Sequence, residues 1–172
     1  MHTRQLNADQ LAENRRAALS RDYGAKPGLH ARTMMLGPAP LDHGSLLLHE
    51  LASRCVGPVG VLAAASSEPR AAAREYIDAL LSHGVEATDL GVTIDNVDRL
   101  MREEALVEQI ASLGTIVLTG GNQIRLVESL LYRGEVTPLL MAIARARAAG
   151  AMIVGVGGAA SALSGFMIGG GT

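Results

Sequence analysis

Two glycine-rich turns hold the residues with which this 172-residue chain could do chemistry. The first is Thr119-Gly120-Gly121-Asn122-Gln123, directly after the strand-like run Thr115 to Thr119. The second is Gly155-Val156-Gly157-Gly158-Ala159-Ala160, directly after the apolar run Ala151 to Val156. A glycine pair lets a backbone turn sharply and expose its amides. Such amides, at the opening of a helix, can hold a carbonyl oxygen or a carboxylate. Gly120, Gly121, Asn122, Gln123, Gly157 and Gly158 are therefore the candidate ligand-binding residues. The competing reading of the first turn is a tight bend whose Asn and Gln satisfy the local backbone. Both readings stay open at this point.

The two turns are similar to those of a known family. The sequence resembles the cyanophycinase-type serine peptidases, the S51 peptidases, whose fold is related to the class I glutamine amidotransferases. The family's T-G-G-D/N-Q turn matches Thr119 to Gln123. Its nucleophile elbow, G-T-S-A-G-A, aligns with Gly155 to Ala160, in a frame set by Ile153-Val154-Gly155 before it and by Ser164 and Met167-Ile168 after it. In that frame the nucleophilic serine falls on Gly157, which has no side chain with which to attack a carbonyl. Ser161 and Ser164 lie one and two helical turns further on, where packing rather than the elbow tip is expected, so no catalytic residue is assigned. The family carries its acid and histidine beyond the elbow, and Thr172 comes before any such residue. The resemblance covers Ala31 to Thr172, leaving residues 1–30 as an appendage.

Other reactive side chains read more plainly. Asp42 and His43 follow Pro38 and Pro40 in a stiffened loop that lacks two amide donors, where the family has a Gly-Gly turn with acidic residues. His43 could do acid–base work, but a structural or solvated role is expected. His49 reads as a helix-face residue. Ser66 or Ser67 is expected to cap the following helix, with ligand contact as the alternative. Arg15-Arg16, without a glycine loop, reads as a solvated helix face. Gly155 to Ala160 also looks like a damaged G-x-G-x-x-G/A phosphate loop, but no further strand with an acidic ribose partner follows.

These turns need a scaffold, and the chain supplies one. Hydrophobic residues make up 48% but aromatics only 2%, so the core must be built from Ala, Val, Leu, Ile and Met. A net charge of -2 offers no basic field for nucleic acid. The single cysteine, Cys55, excludes an internal disulfide and gives no metal-ligand pattern; a buried or half-buried thiol is expected. No apolar run reaches the roughly 20 residues needed to span a bilayer, and the polar start is unlike a signal peptide. A cytoplasmic protein with no cofactor is the expectation.

Strands are expected at Ala31–Leu36, Pro58–Ala65, Val85–Val92, Thr115–Thr119 and Ala151–Val156. Helices are expected at Asn7–Tyr23, Ser45–Arg54, Glu68–Ser82, Val97–Leu113, Ile124–Leu131 and Thr137–Ala149. Tyr132 to Val136 reads as a loop and Gly169 to Thr172 as a flexible end. In the helix from Glu68, Ala72, Tyr76, Ala79 and Leu80 are expected to face inward. Thr137 followed by Pro138 marks a helix start. The alternation predicts an α/β fold, a mostly parallel sheet with helices on both faces. The resemblance adds a class I glutamine amidotransferase-like, flavodoxin-like topology, incomplete at its C-terminus.

Three functions are then open. The first is a non-catalytic cyanophycinase-like subunit that binds a peptide-like ligand or a partner chain of related fold. The second is half of a peptide or isopeptide hydrolase whose catalytic groups come from a partner. The third is a structural homo-oligomerisation module working through the Asn7–Tyr23 helix. None involves nucleic acid or a membrane.

Overall fold

The structure, a computed structural model, describes residues 32–37, 41, 45–164 and 167. The expected Asn7–Tyr23 helix and the rest of residues 1–30, Pro38, Pro40, Asp42, His43 and the Gly169–Thr172 end lie outside the described residues.

The chain alternates strand and helix. Strand β1 (Thr33–Leu36) is followed by helix α1 (Leu46–Arg54), β2 (Val59–Leu62), α2 (Pro69–Leu81) and β3 (Ala87–Asp89). Then come α3 (Val97–Leu100), α4 (Glu104–Ala111), β4 (Thr115–Leu118) and α5 (Gln123–Leu130). A short hairpin, β5 (Leu131–Tyr132) and β6 (Glu135–Val136), leads into α6 (Pro138–Ala148), β7 (Met152–Val156) and α7 (Gly158–Ala162). Five strands pair in the order β1-β7-β4-β2-β3, all parallel. This is the α/β architecture expected from the alternation.

The inner strands β2, β4 and β7 are buried along their whole length. Parallel strands covered on both faces need such runs of Val, Ile and Leu. Successive side chains divide between the two faces. Val59, Val61, Val117, Met152, Val154 and Val156 pack with Leu48 and Leu51 of α1 and with Ala73, Tyr76, Ala79 and Leu80 of α2. On the other face, Leu62, Ile116, Leu118 and Ile153 pack with Ile110 of α4, Leu126 of α5, Leu139, Ala142 and Ala146 of α6, and Ala159 of α7. With so few aromatics, small side chains let the helices lie close to the sheet.

Several boundaries differ from the expectation, each for a local reason. Val85–Val92 shrinks to Ala87–Asp89, because the Asp89 carboxylate accepts from the Gly91 amide (2.8 Å) and turns the chain out of the edge strand. The expected Val97–Leu113 helix is broken into α3 and α4. The interruption lies at Glu103, whose extended backbone (φ -83°, ψ 96°) stands between the two helices as the cap position of α4. The supposed loop Tyr132–Val136 is a hairpin, its turn formed by Arg133 (φ 54°) and Gly134 (φ 81°), the left-handed pair that two-residue hairpins favour. In α2 the inward residue is Ala73, with Ala72 only half-buried. Thr137 caps α6 as expected: its hydroxyl accepts from Leu140 (3.2 Å) and donates to the Leu130 carbonyl (2.9 Å).

Candidate functional site at the carboxyl edge of the sheet

The chain leaves β2 toward the β3 edge and leaves β4 toward the opposite edge. Their carboxyl ends therefore flank a topological switch point, the place where open α/β sheets bind ligands. Both glycine turns are there. Thr119 to Asn122 follows β4, and Gly157 follows β7, the neighbour of β4.

The turn after β4 rests on the loop after β2. The Asn122 amide donates to the Ala65 carbonyl (2.8 Å). Gly121, at φ 136°, passes so close that a Cβ there would lie 2.3 Å from the same oxygen. The Asn122 side chain then caps α5, accepting from the Ile124 amide (2.8 Å). That is the local-backbone role for Asn122; Gln123 instead sits against the second turn. A Cβ built on Gly158 would lie 2.1 Å from the Gly121 carbonyl oxygen and 3.1 Å from Gln123 Oε1. The structure thus brings Gly120, Gly121, Asn122, Gln123, Gly157 and Gly158 together at one place.

Gly157 forms the tip of the second turn. Its φ of 53° and ψ of -118° make the sharp strand-to-helix bend between β7 and α7. A side chain strains a backbone at positive φ; glycine adopts it freely. The Gly157 amide donates to the Leu36 carbonyl (2.9 Å), which ties the bend to the end of β1. Among the described residues, no backbone carbonyl accepts from the amides of Gly121 or Gly158. These are the donors left to meet a ligand. In the first turn of α5, the buried Nε of Arg125 also has no hydrogen-bond partner among the described residues.

Ser66 and Ser67 do not cap α2. Glu68 occupies the cap position without a side-chain bond, with Pro69 opening the helix. Ser66 Oγ accepts instead from the Glu68 amide (3.0 Å), closing a turn one step earlier. Ser67 is exposed in the loop that supports Gly121. Ser161 is exposed rather than packed, and Ser164 donates to the Ser161 carbonyl (2.6 Å). His49 lies on the outer face of α1, its ring 6.0 Å from that of His83. Cys55 is half-buried at the far, amino edge. Burial pushes its thiol pKa up, while a hydrogen bond with Thr115 pulls it down.

Tyr76 is a core residue, as its sequence position shows, and the first glycine turn influences its hydroxyl. It lies on the inward face of α2, 7% exposed. Burial raises its pKa, the Glu75 charge adds to this, and the Gly120 amide opposes it.

Two surface hollows lie at the opposite edge. One is lined by residues including Arg32, Met34, Glu50, Arg54 and Met152, the other by Cys55, Ile77, Leu81, Val85 and Leu113 among others. Neither touches the glycine turns. Among the described residues, no three His, Cys, Asp or Glu side chains gather as a metal site, and no helix is long and apolar enough to cross a membrane.

No family model matches the sequence. No curated protein matches it either. Solved structures do match the fold. One is a peptidase from an acI-B1 Actinobacterium, with a TM-score of 0.59 and 19% identity, the match covering 77% of this chain and 56% of that one. Another is a protein provisionally described as a peptidase E from Listeria monocytogenes EGD-e, with a TM-score of 0.51 and 18% identity, covering 75% of this chain and 59% of that one. The chain spans somewhat more than half the length of these structures, and at these identities the likeness is one of fold: a mostly parallel α/β sheet shared with peptidase structures.

Proposed function

We propose that this chain is a non-catalytic binding subunit, built on the active-site edge of a cyanophycinase-like (S51) serine-peptidase fold. One observation carries the reading. Gly157, with φ 53° and ψ -118°, sits at the tip of a sharp strand–turn–helix bend, the type of bend on which such folds expose a nucleophilic serine. A glycine there preserves the bend and removes the attacking group. Residues 31–172 would form the peptidase-like domain and residues 1–30 an appendage to it.

The ligand class follows from the donors. The amides of Gly121 and Gly158 suit a carbonyl oxygen or a carboxylate, and the Arg125 guanidinium in the same first helical turn favours negative charge. A peptide-like ligand offers both groups. Gln123, against Gly158, would contribute to recognising its amide edge. The natural assembly would be with a second chain of related fold or with another copy of this chain.

A second reading is a peptide or isopeptide hydrolase completed by a partner. The same free amides favour it, since donors aimed at a developing oxyanion serve acyl transfer as well as binding. Native mass spectrometry of the protein from its own host, joined to a peptide-hydrolysis assay, tests both. A complex that binds acetylated dipeptides without cleaving them supports the binding subunit. Cleavage by a heteromer but not by the separate chain supports the shared enzyme. Cleavage by this chain alone, as a homomer, overturns both.

A further inference from the structure

We propose that His49 and His83 together make a surface site for a divalent transition-metal ion such as Zn2+, which ties α1 to the end of α2. The site is independent of the binding reading above. α2 leaves the carboxyl edge at Pro69 and delivers His83, just past its own end, toward the amino edge where β3 begins.

The argument begins with the proton on His83. A neutral imidazole carries one proton, so one ring nitrogen donates and the other keeps a lone pair. His83 Nδ1 lies 3.1 Å from Ser82 Oγ and 3.3 Å from the Ala79 carbonyl oxygen. A carbonyl only accepts. Ser82 donates its hydroxyl proton to that same carbonyl, at 2.7 Å, so toward His83 its oxygen also accepts. Both neighbours therefore place the proton on Nδ1, and Nε2 keeps the lone pair. Metal-binding histidines are held in this way: the second ring nitrogen donates to a carbonyl or a similar acceptor, which fixes the tautomer and the orientation of the ligand.

The second ligand comes from α1. His49 is exposed, and its ring centre is 6.0 Å from that of His83, with the planes tilted by 54° rather than stacked. A zinc–imidazole bond is about 2.0–2.1 Å long, and the ring centre lies roughly 1 Å beyond the nitrogen, so two imidazoles at a tetrahedral angle have centres about 5 Å apart. Turning His49 about its second side-chain torsion, which is broad for histidine, closes the difference. Both backbones are firmly placed. The His49 amide donates to the Ser45 carbonyl (3.0 Å), beside the fully buried Leu48. The His83 amide donates to the Leu80 carbonyl (3.0 Å), and Gly84, at φ 77°, turns the chain after it. The donor type selects the ion. Imidazole nitrogen suits Zn2+, Cu2+ and Ni2+, whereas Mg2+ and Ca2+ take oxygen ligands. With two protein ligands, water fills the remaining positions, and binding is weaker than at a closed four-ligand site.

The test is a calorimetric titration of Zn2+ into the untagged full chain. Its background carries His2→Ala, His30→Ala and His43→Ala, so that His49 and His83 are the histidines left. One Zn2+ per chain is expected to bind and to raise the thermal midpoint. His49→Ala and His83→Ala should each weaken binding at least roughly tenfold, since each removes half of the protein's ligands, and should remove the rise in the midpoint. Both residues are at the surface, so the variants are expected to fold. Ring-nitrogen NMR of the metal-free protein should show His83 protonated at Nδ1. No binding at millimolar Zn2+ overturns the proposal. So does undiminished binding by either variant, which would place the ion elsewhere, and so does a His83 ring protonated at Nε2.

Discussion

A single methyl group is enough to test how tightly the two glycine turns are joined. A Cβ on Gly158 would meet the Gly121 carbonyl oxygen at 2.1 Å, and backbone on both sides leaves little room to relax. Gly158→Ala is expected to lose about 1–3 kcal/mol, the usual cost of overpacking, read as a drop in the urea midpoint. It should also abolish binding of acetylated dipeptides, because the two turns must move apart. The ionisable groups give a second test at this scale. The Cys55 thiol and the Tyr76 phenol are both raised, mainly by burial, from ordinary values of 9.0 and 10.0. A group whose pKa is raised on folding contributes stability that is complete below its unfolded value and is lost as pH rises through the folded one. The stability these two groups contribute should therefore hold up to about pH 9 and then fall, first through Cys55 and then through Tyr76. Cys55→Ala should remove the first part of that decline in denaturation measured across pH. The same raised pKa predicts slow alkylation of the folded thiol by iodoacetamide at pH 8, since the thiolate is the reacting species.

At the level of elements, helix α6 shows what local sequence can decide. Thr137-Pro138 reads as a helix start and is one, with the Thr137 hydroxyl both capping Leu140 and bonding to Leu130 while 2% exposed. Thr137→Ala should cost about 1–2 kcal/mol, the value of a lost cap plus a buried carbonyl left unpaired, measured by chemical denaturation. The strands β2, β4 and β7 and the helices α1, α2, α5 and α6 were legible for the same reason: their apolar periods are strong and their punctuation is local. What was not legible depended on distant contacts. The break between α3 and α4 comes at Glu103, whose extended backbone no glycine or proline announces in the sequence. The hairpin at Arg133-Gly134 uses a weaker turn signal than Asn-Gly. In the candidate site, the close approach of Gly121 to Gly158 joins residues 37 positions apart. The glycine turns themselves stood out, because their backbone demands are written in residue type.

Taken as one body, the molecule leans on its sheet rather than on its charges. The four ion pairs among the described residues all lie on the surface, and exposed pairs contribute only about 0–1 kcal/mol each. Raising KCl from 0.05 to 0.5 M should therefore shift the thermal midpoint by no more than a few degrees; a larger fall would point to an electrostatic role that the surface positions of these pairs do not suggest. Assembly is a separate question, which the native mass measurement answers.

The strand order carries one more consequence, for synthesis. β1 is the first strand described, yet it pairs only with β7, and the Leu36 carbonyl at its end receives the amide of Gly157. On the ribosome, β1 has no seat until the chain has been made through residue 156. The strands β2, β3 and β4 can assemble earlier, because each pairs with a near neighbour in the chain. Of the described strands, the first in sequence is therefore the last to dock, and its docking also fixes Gly157. The binding edge is completed only at that closing step, so a nascent chain halted within α6 should carry β2, β3, β4 and the first glycine turn yet lack the Gly157-Gly158 half of the site.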